Sequence, residues 1–323
     1  MIDMITKKRI LAIIIVIVVV VGSLYYLDAQ ASLRKNIVRL VVGVELNDHS
    51  AAFWVALDKG YFRDLGLDVE YKTFSTGLEL AVALSRGDFD IALACIGPVM
   101  VMYSRGVPVI LVAMTHLNGY SMIIGTKINN IHQLNGAKAS VSGPGSPVWL
   151  IAHMFMEKYN VSFTLVKMPP FIAVNALLNH QVSISFLPEH YATLAVKLGG
   201  FRALTNQDLW KNMPGSGVFV KKDFLKDHRD LVEKFVYAIY RAILFIKNNP
   251  EDAAIIVAKH LASTTEVMAD SMKYLDYTVE INVSAIQYYS KLLHKYGAID
   301  HEINVDNFID ISILEDLGLM RHG

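Results

Sequence analysis

The stretch IVRLVVGVELNDHSAAFWVALDKGYFRDLGLDVEYKT, residues 37–73, determines the fold class. Its first part, Ile37–Glu45, is an apolar run typical of a strand that is buried on both faces. Ala51–Lys59 then carries apolar residues at helical spacing, and Asp68–Thr73 returns to a strand pattern. A strand, a short helix and a second strand predict a βαβ unit, the building block of a parallel sheet.

The same rhythm continues along the chain and restarts once. Further strands are predicted at 89–94 and 107–114, and a second series of alternating strands and helices begins at Ser121. From Asp223 onward the pattern is almost entirely helical. Two α/β arrangements fit this order of elements: two lobes that face each other across a cleft, and one long doubly wound sheet. Periodicity alone leaves both open.

An uncharged segment near the start, Ile10–Leu27, is expected to form a transmembrane helix. Lys7, Lys8 and Arg9 stand directly before it, and at about 1.5 Å per residue its length matches the apolar core of a bilayer. Because basic residues stay on the cytoplasmic side, the rest of the chain is expected at the extracytoplasmic face of the cell membrane. Ala29-Gln30-Ala31 resembles a signal-peptidase site, so an uncleaved anchor and secretion after cleavage behind Ala31 both remain open.

Composition and motifs exclude several classes of protein. Lys plus Arg and Asp plus Glu both total 30, so the net charge is zero, and the sequence lacks the basic stripe of a nucleic-acid binder. Cys95 is the single cysteine, which excludes an internal disulfide and a multi-cysteine metal site. No nucleophile elbow, Walker loop or complete dinucleotide fingerprint occurs, so no catalytic residue and no cofactor are predicted.

Polar loops follow the predicted strands and are the candidate ligand-binding segments. In open α/β sheets, ligands bind beyond the carboxyl ends of the strands. Several of these loops run directly into helix N-termini, whose unpaired N–H groups suit anions and polar ligands, although the same residue types also cap helices without binding anything. The candidate residues are Asn47, Asp48, His49, Trp54, Ser75, Thr76, Gly77, Gly97, Pro98, Thr115, His116, Asn118, Ser142, Gly145, Ser146, Glu189 and His190.

Histidines and aromatic residues in these loops have two interpretations each. His49, His116 and His190 are candidate ligand contacts, but they lack the fixed spacing of a metal motif, and no metal site is predicted. Trp54 could stack against a flat ligand or belong to the core of a lobe.

One segment resembles a known family. Gly60–Glu70 (GYFRDLGLDVE) is similar to a signature of the nitrate/sulfonate/taurine/bicarbonate-type substrate-binding proteins of ABC transporters. The resemblance runs from about Ile37 to Ala262 and extends to thiamine-pyrimidine-precursor synthase-like proteins. Further matches follow in the family's order at Phe74–Gly77, Ser85–Ala92, Gly106–Val109 and Ile131–Val141.

The resemblance implies a type II periplasmic-binding fold. Two α/β lobes would be joined by crossover strands near Tyr120–Gly125 and Gly215–Val220. The expected division is 1–35 for the N-terminal segment, 36–120 with 217–323 for lobe one, and 121–216 for lobe two. The implied function is capture of a small organic or oxyanionic solute (sulfonate, nitrate, bicarbonate or pyrimidine-like) between the lobes, for delivery to an ABC permease with its ATPase.

The loop residues leave the ligand open. An oxyanion would favour Arg or Lys nearby, and the strand-exit loops contain neither. A neutral or cationic ligand could instead pair with Asp48 or Glu189. The alternative function is an enzyme on the same fold that acts on a small heterocycle, with His49 or His116 as its base. A membrane-tethered sensor is the third hypothesis.

Overall fold

The computed structural model describes residues 17–18, 20–23 and 37–320 of the 323-residue chain. Its strands form two five-stranded sheets and a two-stranded ribbon. The α/β class predicted from the sequence is confirmed. Of the two predicted arrangements, the structure has the one with two separate sheets.

The elements have the following bounds. The strands are β1 Val38–Glu45, β2 Leu67–Phe74, β3 Ile91–Cys95, β4 Val109–Met114, β5 His116–Asn118, β6 Tyr120–Ile124, β7 Lys138–Val141, β8 Thr164–Lys167, β9 Ile184–Pro188, β10 Phe201–Thr205, β11 Ser216–Lys221 and β12 Leu275–Tyr277. The α-helices are α1 Ala51–Asp58, α2 Tyr61–Asp64, α3 Gly77–Arg86, α4 Ile96–Ser104, α5 Pro147–Tyr159, α6 Pro170–Leu178, α7 Glu189–Lys197, α8 Lys222–Asp227, α9 Arg229–Asn248, α10 Pro250–His260, α11 Thr265–Ser271, α12 Val283–Lys295 and α13 Ser312–Asp316. Short 3₁₀ helices occupy Asp48–Ser50, Ile131–Leu134, Asn206–Asp208, Met272–Tyr274 and Val305–Asn307.

The first sheet has the strand order β2-β1-β3-β11-β4. β1 pairs in parallel with β2 and β3, whereas β11 runs antiparallel between β3 and β4. Every residue of β3 and β4 is buried, which accounts for their continuous apolar sequences. Because β1, β2 and β3 are parallel, the loops that follow them meet at one edge of this sheet.

The second sheet has the strand order β10-β6-β9-β7-β8. β7 is parallel to β8 and β9, and β6 is antiparallel to β9 and β10. The loops that follow β7 and β9 therefore also meet at one edge, which faces the corresponding edge of the first sheet.

The chain crosses between the sheets twice. It leaves the first sheet through β5, which pairs with β12, and it returns through the segment after β10, where Pro214 bridges to Leu117. The resemblance placed the crossovers at Tyr120–Gly125 and Gly215–Val220. The structure instead incorporates almost all of both segments into the sheets, as β6 and β11, so the crossing segments lie a few residues earlier in each case.

The C-terminal helices pack on the first sheet. Phe235 of α9 stacks on Phe62 with ring centroids 5.0 Å apart, and the Leu111 N–H donates to the Phe308 carbonyl at 2.8 Å. The sequence pattern predicts one helix over Asp223–Asn248, but two are observed. The backbone of His228 leaves the helical region between α8 and α9.

The N-terminal prediction lies mostly outside the described residues. Most of Ile10–Leu27, and all of Ala29–Ala31, fall in the part of the chain that is not described. Within residues 17–18, 20–23 and 37–320, no helix combines the length and the apolar character needed to cross a bilayer.

Candidate ligand-binding cleft

A small enclosed cavity lies where the loops of the two sheets meet. Its volume is about 20 Å³, which is room for about one water molecule. The first sheet and its loops contribute Glu45, Gly77, Leu78, Cys95 and Pro98 to the lining, and the second contributes Tyr120, Ser142, Ser146, Pro147, Val148 and Pro188.

Two helix N-termini meet at this cavity. α3 begins at Gly77, and Thr76 caps it by accepting the Glu79 N–H at 3.2 Å. α5 begins at Pro147. Proline has no backbone N–H, but the N–H of the first helical residue would have no partner within the helix anyway. The Ser146 side chain caps this helix by accepting the Trp149 N–H at 3.3 Å. Both helices therefore present the partial positive charge of their N-terminal ends to the cavity.

Glu45 supplies the charge of the cavity. Among the eleven described residues that line it, Glu45 is the single charged one, and its side chain is only 5% exposed. Its Oε2 accepts the backbone N–H of Cys95 at 3.2 Å. A Cβ placed on Gly77 would stand 3.2 Å from the same oxygen. The carboxylate is thus held between the starts of α3 and α4.

Cys95 and Tyr120 form the neutral wall beside Glu45. The Cys95 Sγ lies 3.5 Å from the Tyr120 Oη and 3.5 Å from the Ser216 Oγ. Burial, reinforced by the Glu45 carboxylate, raises the pKa of the Cys95 thiol well above its usual value. Burial also raises the pKa of Tyr120. Both groups stay protonated at neutral pH, so the thiol does not act as a nucleophile here.

The two sheets touch directly at a pair of glycines. A Cβ on Gly97 would stand 2.3 Å from the Gly145 carbonyl oxygen and 2.8 Å from the Tyr289 Oη. A Cβ on Gly145 would stand 2.6 Å from a methyl of Val101, and Gly145 has φ +83°, a conformation that favours glycine. The absence of side chains at both positions allows this approach, and the two lobes are in contact across the cleft.

A buried carboxylate pairs with histidines beside the cavity. Asp48 follows β1 and is completely buried. Its Oδ1 lies 3.5 Å from the Nδ1 of His190, which is in α7, directly after β9 of the second sheet. The same oxygen lies 3.8 Å from the Nε2 of His49. Burial alone would raise the pKa of Asp48, but the contact with His190 and the charges of both histidines outweigh it and lower the pKa. In the described part of the chain, no group of three or more His, Cys, Asp or Glu is arranged to hold a metal ion.

His116 lies in the first crossing segment and has no access to the cavity. Its Nε2 accepts the Ser216 N–H at 3.1 Å, and its Nδ1 lies 3.3 Å from the Leu117 carbonyl. Since an N–H can only donate, Nε2 is unprotonated and Nδ1 carries the proton. Burial, together with the charge of His49, lowers the pKa of His116 well below its usual value. Neutral His116 therefore links β5 to the first residue of β11.

Glu189 belongs to a buried network of the second lobe. It pairs with Arg202 at 2.5 Å and accepts the hydroxyls of Ser121 at 2.7 Å and Thr193 at 3.0 Å. Burial raises its pKa to about 7, against the opposing effects of Arg202 and Ser121. Glu189 does not line the cavity, so Glu45 is the carboxylate that a ligand there would meet.

The structure brings together only some of the predicted site residues. Those that line the cavity are Gly77, Pro98, Ser142 and Ser146. Those that adjoin it as caps, close contacts or buried charges are Asn47, Asp48, His49, Thr76, Gly97, Gly145 and His190. Those placed elsewhere are Thr115, His116 and Asn118 in or beside the crossing segment, Glu189 in the second lobe, exposed Ser75, and Trp54.

Trp54 lies in the core and does not line the cavity. It is 1% exposed and stacks on His260 with ring centroids 4.6 Å apart and an angle of 14°. Tyr71 meets it edge-on at 5.3 Å. These contacts place Trp54 in the packing between α1 and α10. Of the two roles that the sequence left open, ligand stacking and lobe core, the structure has the second.

Replacing Trp54 with phenylalanine should therefore lower the free energy of unfolding by about 1–2 kcal/mol without changing ligand affinity. The cause is the loss of the stacking area on His260, far from the cavity. Urea unfolding and a ligand titration on the same preparation measure the two quantities. An affinity loss larger than the stability loss would place Trp54 in the site after all.

Several lining residues were missed by sequence reasoning. Cys95 ends a buried strand and is a typical core residue by pattern, whereas the sequence left Tyr120 open between stacking against a ligand and packing in the core of a lobe. Leu78, Pro147 and Val148 are among the first two residues of their helices. The signal that could have found them is position, because the first turn of a helix that follows a strand lies at the same edge as the loop.

A larger cavity of about 890 Å³ lies elsewhere on the molecule. Its lining includes Leu117 and Pro214 of the crossing segments and residues of α9, α11 and α12, but none of the strand-exit loops of the second sheet. Of these two cavities in the described part of the chain, the smaller one is lined by loops of both sheets, and it is the candidate ligand site.

Two α/β sheets whose loops enclose one cavity, joined by two crossing segments, are the architecture of two-lobed solute-binding proteins. A family model described as NMT1/THI5 like matches residues 47–253, and the chain belongs to that family. The predicted resemblance is thereby confirmed at the level of the family.

Individual proteins are similar to this chain over most of its length. A binding protein of Bacillus subtilis, YtlA, is 25% identical over 243 residues, which are 71% of this chain and 73% of that protein. A zinc-bound ligand-binding component of an ABC-type import system from Staphylococcus aureus has a TM-score of 0.79 at 19% identity, covering 87% of this chain and 99% of that one. The periplasmic aliphatic sulphonate binding protein SsuA from Escherichia coli has a TM-score of 0.73 at 14% identity, covering 84% and 92%.

Proposed function

We propose that the chain is an extracytoplasmic solute-binding protein of an ABC importer. It captures a small solute between its lobes and delivers it to a membrane permease that works with an ATPase. The observation that carries this proposal is the cavity itself, which is enclosed by loops of both sheets and sealed by the contact between Gly97 and Gly145. A solute there touches both lobes only in the closed form, so it shifts the population toward closure.

The relatives support this role over an enzyme on the same fold. The Staphylococcus aureus and Escherichia coli proteins are named as binding components, one of them of an import system. The histidines required by the enzymatic alternative also argue against it. His49 and His116 are completely buried, do not line the cavity, and use ring nitrogens in contacts with backbone groups.

Localisation and lobe boundaries are parts of the same proposal. The segment Ile10–Leu27 would hold the solute-binding lobes at the outer face of the membrane, or release them if the chain is cleaved behind Ala31. Lobe one would comprise 36–120 with 217–323, and lobe two 121–216. Protease accessibility of the protein in intact cells, and its release into the medium, test anchor and secretion against each other.

A ligand should stabilise the protein without being converted. At a free ligand concentration about 100 times Kd, the gain is about 2.7 kcal/mol. Thermal unfolding against sulfonates, nitrate, bicarbonate and pyrimidines measures it, and chromatography of the same mixtures detects any product. A folded protein that no small solute stabilises would contradict the proposal, as would formation of a product.

A further inference from the structure

The charge of the cavity has the wrong sign for an oxyanion. Glu45 is the one charged group among the described lining residues, and burial keeps Cys95 and Tyr120 neutral. The nearby cation is Lys167, whose stem would meet a Cβ on Gly143 at 3.1 Å. Lys167 is exposed and is not part of the lining. An anion in the cavity would therefore face a carboxylate, and no lysine or arginine is among the described residues that line the cavity.

Glu45 also occupies the place where an anion would otherwise bind. Unpaired N–H groups at helix N-termini attract anionic ligands, and here the Cys95 N–H that precedes α4 donates to the Glu45 Oε2 at 3.2 Å. The start of α3 lies against the same oxygen through Gly77. The N–H before α4 thus already donates to a group of the protein, whereas the start of α5 still faces the cavity.

What remains in the cavity favours a ligand that donates hydrogen bonds. The Glu45 carboxylate accepts only. The Tyr120 hydroxyl has the soft Cys95 sulfur as its partner, which leaves an oxygen lone pair for a donor. Outside the lining, beside Gly97, the buried Tyr289 hydroxyl has no hydrogen bond within the described residues, and it could either accept or donate one.

We propose that the solute is a small organic cation with N–H donors, a protonated amine or amidine, and that Glu45 binds its charge. The lobes would stand further apart around this solute than they do in this structure, where the cavity has room for about one water molecule. This inference rests on the proposed solute-binding function and assigns its ligand class. The sulphonate named for the Escherichia coli structural relative is not the ligand of this chain. Glu45 alone accounts for the selection of cationic over anionic ligands. Its carboxylate, at the starts of two helices, repels anions and attracts N–H cations.

Calorimetric titration with charge-matched probes tests the assignment. The probes are ethylammonium and acetamidinium as cations, acetamide as their neutral counterpart, and methanesulfonate and nitrate as anions. The wild-type protein should bind at least one of the cations and neither anion. Glu45→Gln should weaken cation binding by at least about 30-fold, since it leaves the ligand charge without a partner in a buried site.

Two control variants separate this effect from general electrostatics. Glu70→Gln removes an exposed carboxylate of the first lobe that pairs with Arg39, and it should leave cation binding unchanged. Lys167→Gln removes the cation near Gly143 and should also leave it unchanged. Circular dichroism and thermal unfolding establish that each variant is folded.

The outcomes distinguish the inference from the function on which it rests. Anion binding without cation binding, weakened by Lys167→Gln and not by Glu45→Gln, would overturn the cation assignment and leave the solute-binding function standing. Equal cation affinity in the wild type and Glu45→Gln would overturn the role of Glu45. Failure of every probe, together with the absence of any co-purified solute in native mass spectrometry, would overturn both.

Discussion

Replacing Gly97 with alanine should weaken ligand binding about 10–100-fold while both lobes stay folded. The added methyl carbon would stand 2.3 Å from the Gly145 carbonyl oxygen, a backbone atom of the opposite lobe. Atoms cannot approach so closely, so the lobes would have to stay apart by the thickness of a methyl group. The ligand would then lose the contacts that it makes only in the closed form. Calorimetric titration of the solute found by thermal screening measures the loss.

Gly60→Ala is the control for this prediction. Gly60 has φ +73°, and a Cβ there would meet nothing within 4 Å. Alanine at this position should cost about 1 kcal/mol of stability through backbone strain, without touching the cleft. If the two variants weaken binding equally, the effect is one of general destabilisation and closure at Gly97 is not required.

Asp48→Asn should have the second large effect, a loss of about 3 kcal/mol in the free energy of unfolding near neutral pH. The variant removes a completely buried charge whose partners, at 3.5 Å and 3.8 Å, are His190 of the opposite lobe and His49. Because the pair with His190 joins the lobes, ligand affinity should fall as well. Urea unfolding gives the stability, and a titration gives the affinity.

The pH dependence of this effect has a definite sign. The contacts of Asp48 lower its pKa in the folded protein, so its contribution is present above the pKa of an unfolded aspartate. The contribution is lost as the pH falls through the lowered pKa. The wild-type protein should therefore lose stability toward strongly acidic pH, and Asp48→Asn should lose less of it over the same interval.

Asp58→Asn provides the comparison. Asp58 also pairs with a histidine, His260, at 2.7 Å, but the pair lies at the surface of the first lobe and Lys259 shares it. A partly exposed pair contributes about 1 kcal/mol or less. An equal loss in the free energy of unfolding for Asp48→Asn and Asp58→Asn would contradict the role given to the buried pair of Asp48 and His190.

Local sequence signals predicted many elements closely. The sequence of Gly77–Arg86 has the apolar spacing of a helix. The structure has a helix with those bounds, because Thr76 caps its start and Gly87, at φ +84°, ends it. Such signals lie within a few residues of the element they control. β12 was missed for the opposite reason, since its three residues form a strand only by pairing with β5, far away in the chain.

The site could be predicted only to the level of its loops. Parallel strands bring their carboxyl ends to one edge, and Gly77, Pro98, Ser142 and Ser146 lie around one cavity there. This rule could not show which residue of each loop turns inward. Asp48 and Glu45 both lie at the end of β1, but the first is buried against histidines while the second lines the cavity. That difference depends on packing between the lobes, which no local pattern encodes.

Small-angle X-ray scattering, with and without the solute found by thermal screening, tests the central claim most directly. The claim is that the lobes close on a solute held between them. It predicts a smaller radius of gyration for the wild-type protein when the solute is added, and little or no decrease for Gly97→Ala. A solute that binds tightly to the wild type and leaves its radius of gyration unchanged would contradict the claim.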